Sequence, residues 1–130
     1  MTQDGINAEQ RNILLIPFPY SDLTSSKKRP VLVLSNKEYN EHNQDIICCA
    51  ITSNLRGYKY SVDVSNSDLE EGNLCYNSKV KPNRIFTLDQ NKILKKLGRL
   101  NSTKYREVIS NVNEMISLDS EENSEEPQTL

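Results

Sequence analysis

The chain is 130 residues long, a length that suits one domain with a single core. Charged residues make up 26% of it and hydrophobic residues 35%, and the net charge is −2, so we expect a polar, soluble domain. The start lacks a basic and apolar leader, and no run approaches the ~18 apolar residues of a membrane span. Three irregularly spaced cysteines favour a reducing compartment, so we expect a cytoplasmic protein.

The small net charge conceals an uneven distribution. All charged residues after position 116 are acidic, namely Asp119, Glu121, Glu122, Glu125 and Glu126. Without these five, 16 bases face 13 acids, so the remainder carries +3, which is compatible with a nucleic-acid partner. We therefore predict a polar N-terminal arm over 1–11, a folded domain over 12–118 and an acidic disordered tail over 119–130.

The first half of the folded part predicts three buried strands. Apolar runs occur at 13–16 and 46–51 without a break and at 30–35 up to its last residue, Ser35, and runs of this length with β-branched residues are typical of strands. A polar loop separates the first two runs. The ten polar residues 36–45 connect the second run to the third, with room for one helical turn.

The second half predicts shorter strands and a helix. The strands are expected at 58–64, 74–81, 84–88 and 97–100. Asp89 is suited to cap one short helix. Residues 102–117 place a one-sided apolar stripe at helical spacing, with Asn101 or Ser102 as the N-cap. Short strands followed by a helix indicate an α+β domain built on a small antiparallel barrel.

Arg29 and Thr52 are brought together by a register argument. If 30–35 and 46–51 pair antiparallel with Ser35 opposite Ile46, Arg29 lies opposite Thr52 on the same face. A slip of one residue would place them on opposite faces. Pro30 stiffens the backbone beside Arg29 and is tolerated as the first residue of a strand. The arginine thus either presents its guanidinium to a ligand or merely guards an apolar strand against aggregation.

Five sequence blocks occur in a recognisable order. They are Ile-Pro-Phe-Pro-Tyr-Ser-Asp-Leu at 16–23, Lys-Lys-Arg-Pro-Val-Leu-Val-Leu-Ser at 27–35, Ala-Ile-Thr-Ser-Asn at 50–54, Arg-Ile-Phe-Thr-Leu-Asp at 84–89 and Leu-Gly-Arg-Leu at 97–100. Together they resemble the MazF/PemK-like toxins of type II toxin–antitoxin systems, over roughly 12–118. The chain departs from the common Gly-Asp start of the family's first strand, having Arg11-Asn12 there.

The resemblance implies both a fold and an activity. The fold would be a homodimeric SH3-like barrel with a C-terminal helix, as in MazF and CcdB. The activity would be sequence-specific cleavage of single-stranded RNA, independent of metal and cofactor and inhibited by a cognate antitoxin, whose complex with the toxin can bind DNA. By the same resemblance, Arg29 and Thr52 carry the chemistry.

That chemistry is physically reasonable for these two side chains. RNA is cut without metal when its own 2′-hydroxyl attacks the adjacent phosphorus, which builds negative charge on the phosphate oxygens. An arginine holds a phosphate bidentately and stabilises this charge, and a threonine hydroxyl orients the phosphate or the nucleophile. A group with a pKa above ~12 is a poor general base, so the base stays open.

The residues that bind RNA are expected in the loops beside Arg29 and Thr52. The candidates are Lys27, Lys28, Ser53, Asn54 and Tyr58, with Arg56 and Tyr60 nearby. Single-stranded RNA is commonly held by aromatic stacking in a basic groove. For the two tyrosines, an ordinary place on the surface of the sheet is an equal alternative.

Other catalytic classes find little support. His42 is the only histidine and stands in a polar connection, so we expect a surface residue. Cys48 and Cys49 are adjacent in a strand and point to opposite faces, so they cannot share a metal ion, and we expect all three cysteines, with Cys75, to be packing residues. A gyrase-poisoning toxin similar to CcdB and a non-catalytic RNA-binding barrel remain as alternatives. Neither needs both Arg29 and Thr52, which favours the nuclease.

Overall fold

The structure is a computed structural model that describes residues 7–17 and 27–120. Its seven strands form one curled antiparallel sheet, a half-barrel, in the order β4-β6-β3-β2-β1-β7-β5. The strands are β1 (Asn12–Pro17), β2 (Lys28–Val33), β3 (Asp45–Thr52), β4 (Val62–Val64), β5 (Leu69–Gly72), β6 (Ser78–Asp89) and β7 (Lys95–Leu100). The helices are α1 (Lys37–His42) and α2 (Ser102–Ile116). The predicted α+β barrel-like fold with a C-terminal helix is confirmed.

The inner strands β1, β2 and β3 are buried on both faces, which explains their unbroken apolar runs. Successive side chains of a strand point to opposite faces, so a run without polar residues belongs to a strand that is covered on both sides. Ile13, Leu32 and Cys49 pack in one cluster with Val108 of α2. Their sequence neighbours belong to a second cluster, which includes Leu14, Val31, Val33 and Cys48.

The predicted register of the central strands is confirmed. Val31 pairs with Ala50, Leu32 with Cys49 and Val33 with Cys48. In each pair the two residue numbers sum to 81, as they do for the assumed pair of Ser35 and Ile46. Two features brace the connection between β2 and β3. Asn36 caps α1 by accepting a hydrogen bond from the Tyr39 N–H, at 3.0 Å. Ser35 accepts one from the Ile47 N–H, also at 3.0 Å.

The start of β2 differs from the prediction. The strand begins at Lys28, so Pro30 is its third residue and not its first. The earlier start comes from pairing with β1, where Arg29 lies opposite Ile16 and Lys28 opposite Pro17. The ladder to β3 begins only at Val31, directly after the proline, which lacks the N–H needed for a ladder hydrogen bond.

The later strands also needed correction. Only Val62–Val64 of the predicted strand 58–64 is extended, because the Ser61 N–H donates to the Tyr58 carbonyl oxygen and closes a turn. The predicted strands 74–81 and 84–88 are one strand, Ser78–Asp89, with a bulge inside it. Leu69–Gly72, which was not among the predicted strands, forms the edge strand β5 beside β7.

The helix caps follow the sequence closely. Asn101 caps α2 by accepting a hydrogen bond from the Lys104 N–H, at 2.8 Å. Asp89 accepts one from the Asn91 N–H, also at 2.8 Å, and begins a short 3-10 turn. Of the apolar stripe on α2, Val108 is fully buried, whereas Ile116 at the far end is 73% exposed. No helix in the described part of the chain combines the length and apolarity needed to cross a membrane.

The described part of the N-terminal arm is docked on the sheet. Ala8 is buried, and the Gln10 amide donates to the Leu34 carbonyl oxygen and the Tyr105 hydroxyl, at 2.9 and 3.1 Å. Arg11 has a φ of 79°, in the left-handed region that favours glycine, at the place where the resembled family commonly has one. The remainder of the predicted arm, 1–6, and nearly all of the predicted acidic tail, 121–130, lie outside the described residues.

Candidate active site

A groove of about 300 Å³ crosses β2, β3 and β6. Four polar side chains line it: Arg29 from the start of β2, Thr52 from the end of β3, and Lys81 and Arg84 from β6. Between them lies an apolar floor that includes Pro30, Ile51 and Phe86. The groove is therefore cationic at its rim and apolar beneath, which suits an anion that carries flat, apolar groups.

Arg29 and Thr52 share this groove because of the register of β2 and β3. Continuing the ladder by two residues beyond Val31 and Ala50 places Arg29 opposite Thr52. The Thr52 hydroxyl oxygen accepts a hydrogen bond from the Asn54 N–H at 3.0 Å. That bond turns the chain after β3 and orients the hydroxyl without using its proton, which stays available for a ligand.

Lys81 and Arg84 were not among the sequence candidates. They enter the groove through the bulge of β6, where Cys49 faces Ile85 but the next residue of β3, Ala50, faces Lys81. Consecutive residues of β3 thus pair with residues of β6 that are four positions apart. The three residues between them, Pro82, Asn83 and Arg84, have no partner in β3 and form the bulge. A proline between two strand-like runs is a sequence signal for a bulge, and this one could have been found from it.

The five predicted RNA-binding residues do not line the described groove. Lys27 and Lys28 are exposed immediately before Arg29, and Ser53 and Asn54 are exposed immediately after Thr52. Tyr58 is half-buried in the loop between β3 and β4. These residues lie beside the groove and not in its centre. They are therefore placed to contact a polymer that extends beyond the groove.

Tyr58 makes its contacts to the bulge of β6. Its hydroxyl donates to the Asn83 side-chain oxygen and accepts a hydrogen bond from the Asn83 N–H, at 3.3 Å. The Lys81 Nζ lies 5.9 Å from the centroid of the Tyr58 ring, within reach of a cation–π contact. Burial raises the pKa of Tyr58, opposed by the Asn83 N–H and the Arg84 charge, so the phenol remains a hydrogen-bond donor.

No carboxylate or imidazole lines the groove within the described residues, which therefore supply positive charge and a hydroxyl but no general base. His42 is exposed on α1, as predicted, with its Nδ1 2.8 Å from the Glu38 carbonyl oxygen. In the same part of the chain, no three His, Cys, Asp or Glu side chains are grouped closely enough to hold a metal ion.

The cysteines differ from one another. Cys48 and Cys49 are buried on opposite faces of β3, in the two core clusters, which confirms their predicted packing role. Burial raises the pKa of the Cys48 thiol to about 12, so it is unreactive at neutral pH. Cys75 is exposed, so the prediction that it is a packing residue was wrong.

Three solved structures of similar fold are distant from the chain in sequence. The toxin MazF-mt6 of Mycobacterium tuberculosis superposes with a TM-score of 0.67 at 21% identity, over 84% of this chain and 99% of that one. A mycobacterial endoribonuclease solved with its cognate antitoxin gives 0.70 at 18%, over 86% and 97%. MazF from a Deinococcus radiodurans MazE–MazF structure gives 0.67 at 19%, over 88% and 99%. No curated protein sequence matches the chain.

These likenesses define the class of the molecule as an α+β half-barrel of the MazF type. The family itself follows from the sequence match. Residues 9–116 match the model of the PemK-like, MazF-like toxins of type II toxin–antitoxin systems. That range is most of the chain, so the protein belongs to this family.

Proposed function

We propose that this protein is the toxin component of a toxin–antitoxin system and a metal-independent endoribonuclease that cuts single-stranded RNA in the groove of Arg29 and Thr52. The observation that carries the proposal is the composition of that groove. Three cations and one hydroxyl converge on an apolar floor, and no carboxylate faces them among the described lining residues. Such a surface attracts a phosphodiester.

The reaction is an internal transfer. The 2′-oxygen of the substrate attacks the adjacent phosphorus, the bond to the 5′-oxygen breaks, and the products carry a 2′,3′-cyclic phosphate and a 5′-hydroxyl. Arg29 binds the phosphate oxygens through two parallel N–H donors and stabilises the charge that develops on them. Thr52 donates its free proton to the same phosphate, since its oxygen is already held by the Asn54 N–H. The proton of the 2′-hydroxyl leaves to an acceptor that the described groove residues do not supply, and the departing 5′-oxygen takes up a proton from water to become the 5′-hydroxyl.

The family supports the remaining parts of the proposal. One solved relative is an endoribonuclease in complex with its cognate antitoxin, and another is a MazE–MazF complex. We infer that this toxin also acts in the cytoplasm as a homodimer, is inhibited by a cognate antitoxin protein, and can bind DNA as part of the complex with that antitoxin. Its substrate would approach along the bordering residues Lys27, Lys28, Ser53, Asn54 and Tyr58.

The test is cleavage of a long single-stranded RNA in excess EDTA, followed by analysis of the cut ends. We expect a 2′,3′-cyclic phosphate and a 5′-hydroxyl, and no cutting where the scissile ribose is replaced by deoxyribose. Arg29→Lys keeps the charge but loses the planar pair of donors, so the rate should fall by ~10²-fold or more. The matched control is Arg106→Lys, at an exposed position of α2.

Four outcomes would contradict the proposal. Cleavage by Arg29→Lys at the wild-type rate would place the site elsewhere. A requirement for a divalent cation would remove the metal-independent mechanism. Growth arrest by a wild-type protein that cuts no RNA would instead favour a gyrase poison, and RNA binding without cleavage or arrest would favour a non-catalytic barrel.

A further inference from the structure

We propose that the bulge of β6 is a second phosphate-binding site, in which Lys81 and Arg84 bind the RNA phosphate next to the one that is cut. Tyr58 is the positioning residue that holds the bulge in place. This inference rests on the proposed function, because it assigns the second phosphate of the same RNA. It concerns residues that the reaction at Arg29 and Thr52 does not use.

The first argument is the spacing across the sheet. Strand β3 lies between β2 and β6, so the groove has Arg29 on one side of β3 and Lys81 with Arg84 on the other, Lys81 lying opposite Ala50. Neighbouring strands are ~4.8 Å apart, which separates the backbones of β2 and β6 by roughly 10 Å. Two cationic positions at this separation suit successive phosphates of one extended strand better than a single phosphate.

The second argument is charge compensation. Neither Lys81 nor Arg84 forms an ion pair with a carboxylate of the described residues. Lys79, two residues earlier on the same strand, is paired with Asp63 of β4. The strand therefore neutralises its lysine outside the groove and leaves the cations inside the groove available to a ligand anion.

The third argument is that the bulge is held in place. Pro82 has a fixed φ, and Asn83 is bonded by both its side-chain oxygen and its N–H to the Tyr58 hydroxyl. The Tyr58 ring also contacts Lys81 at 5.9 Å. Ordering the two cations in advance lowers the entropy cost of binding a phosphate. Tyr58 thus acts through the bulge, and its ring need not stack on a base.

The test is a substrate in which one phosphate has lost its charge. A single-stranded RNA oligonucleotide that the wild-type protein cuts is compared with copies carrying a neutral methylphosphonate at one of the two phosphates that flank the scissile one. We expect one of these replacements to slow the wild type by about 10-fold or more, which is typical for losing a charged hydrogen bond. Lys81→Gln and Arg84→Gln should show a similar loss on the normal RNA.

The decisive comparison is between variant and substrate. If the cations bind that phosphate, the double variant Lys81→Gln/Arg84→Gln should cut the RNA with the neutral linkage almost as fast as it cuts the normal RNA. The control Arg106→Gln, which removes a charge from α2, should keep the full wild-type sensitivity. If the neutral linkage slows cleavage by the same factor in the wild type and in the double variant, the proposal would be overturned.

A binding measurement separates this proposal from the proposed nuclease. The probe is the same oligonucleotide with deoxyribose at the scissile position, which cannot be cut, titrated at several salt concentrations. Losing the contact to one phosphate should reduce the slope of log affinity against log salt by ~0.7, so we expect about that change in the double variant, which loses both side chains that bind this phosphate. If the slope changes in this way but the wild-type protein cuts no RNA, the second phosphate site would be supported and the nuclease proposal refuted. An unchanged slope would refute the second phosphate site.

Tyr58 has its own discriminating pair of variants. Tyr58→Phe keeps the ring and deletes the hydroxyl that holds Asn83, so we expect it to raise KM and to reduce sensitivity to the neutral linkage, as Arg84→Gln does. A base-stacking platform would tolerate phenylalanine and fail only with Tyr58→Ala. Wild-type kinetics for Tyr58→Phe, with loss only in Tyr58→Ala, would contradict the positioning role.

Discussion

The proposed mechanism gives the hydroxyl of Thr52 a catalytic role beside its role in the turn, and replacing the residue by valine measures both. Valine keeps the volume and β-branching of threonine but removes the oxygen that accepts from the Asn54 N–H. A hydrogen bond of this kind contributes about 1 kcal/mol net, and the exposed Asn54 can turn its N–H to water. We therefore expect unfolding to become easier by about 1 kcal/mol, or roughly 3–6 °C in Tm.

The effect on catalysis should be much larger than the effect on stability. Losing one preorganised donor to the phosphate typically slows a reaction ~10²–10³-fold. A domain with a stability of ~5–15 kcal/mol stays almost entirely folded at 25 °C after losing 1 kcal/mol. Unfolding therefore cannot account for a hundredfold loss of rate. Thr52→Ser keeps the hydroxyl, so it should retain the turn bond and most of the activity.

The assay is RNA cleavage at 25 °C with saturating substrate, together with calorimetric unfolding of the same three proteins. The reasoning predicts that kcat falls for valine and not for serine, while Tm changes by only a few degrees in either. If Thr52→Val cuts RNA at the wild-type rate and loses only the expected Tm, the hydroxyl serves the turn alone. The assignment of Thr52 to the chemistry would then be wrong.

Two further predictions concern the folded body. Arg11→Gly should be more stable than Arg11→Ala by about 1 kcal/mol in urea unfolding, because both lose the side-chain bond to the Leu100 carbonyl oxygen but only glycine relieves the left-handed backbone; the reverse order would contradict the strain. The Asn91 N–H and then the Gln44 amide lower the pKa of Asp89, so its contribution to stability is present above its ordinary pKa of ~3.9 and is lost as pH falls through the lower folded-state value. Asp89→Asn can still accept a hydrogen bond from the Asn91 N–H, so its Tm should fall less than that of the wild type between pH 5 and pH 2, roughly the range over which a carboxyl with a lowered pKa titrates. If the Tm of the two proteins falls in parallel over this range, the assignment to Asp89 would be refuted.

Local patterns were sufficient for the central strands and the helix. The runs 13–16 and 46–51 are unbroken because both faces of those strands are covered, and this burial is visible in one dimension. The caps at Asn101 and Asp89 depend on a side chain and an N–H only two or three residues away. The register of β2 against β3 also followed from one short connection, and it carried Arg29 to Thr52.

The inner sheet, the terminal helix and the Arg29–Thr52 side of the groove could thus be predicted from the sequence, because each depends on contacts that are near in the chain or on two strands joined by one short connection. The other side of the groove could not. Lys81 and Arg84 reach the groove because β6 pairs with β3 across roughly thirty residues of intervening chain and changes register in the middle. β5 is likewise a strand only because the edge of β7 is there to pair with it. Backbone hydrogen bonds between distant segments leave no periodic pattern in the sequence. Such strands are therefore determined by the strand they pair with and not by their own composition.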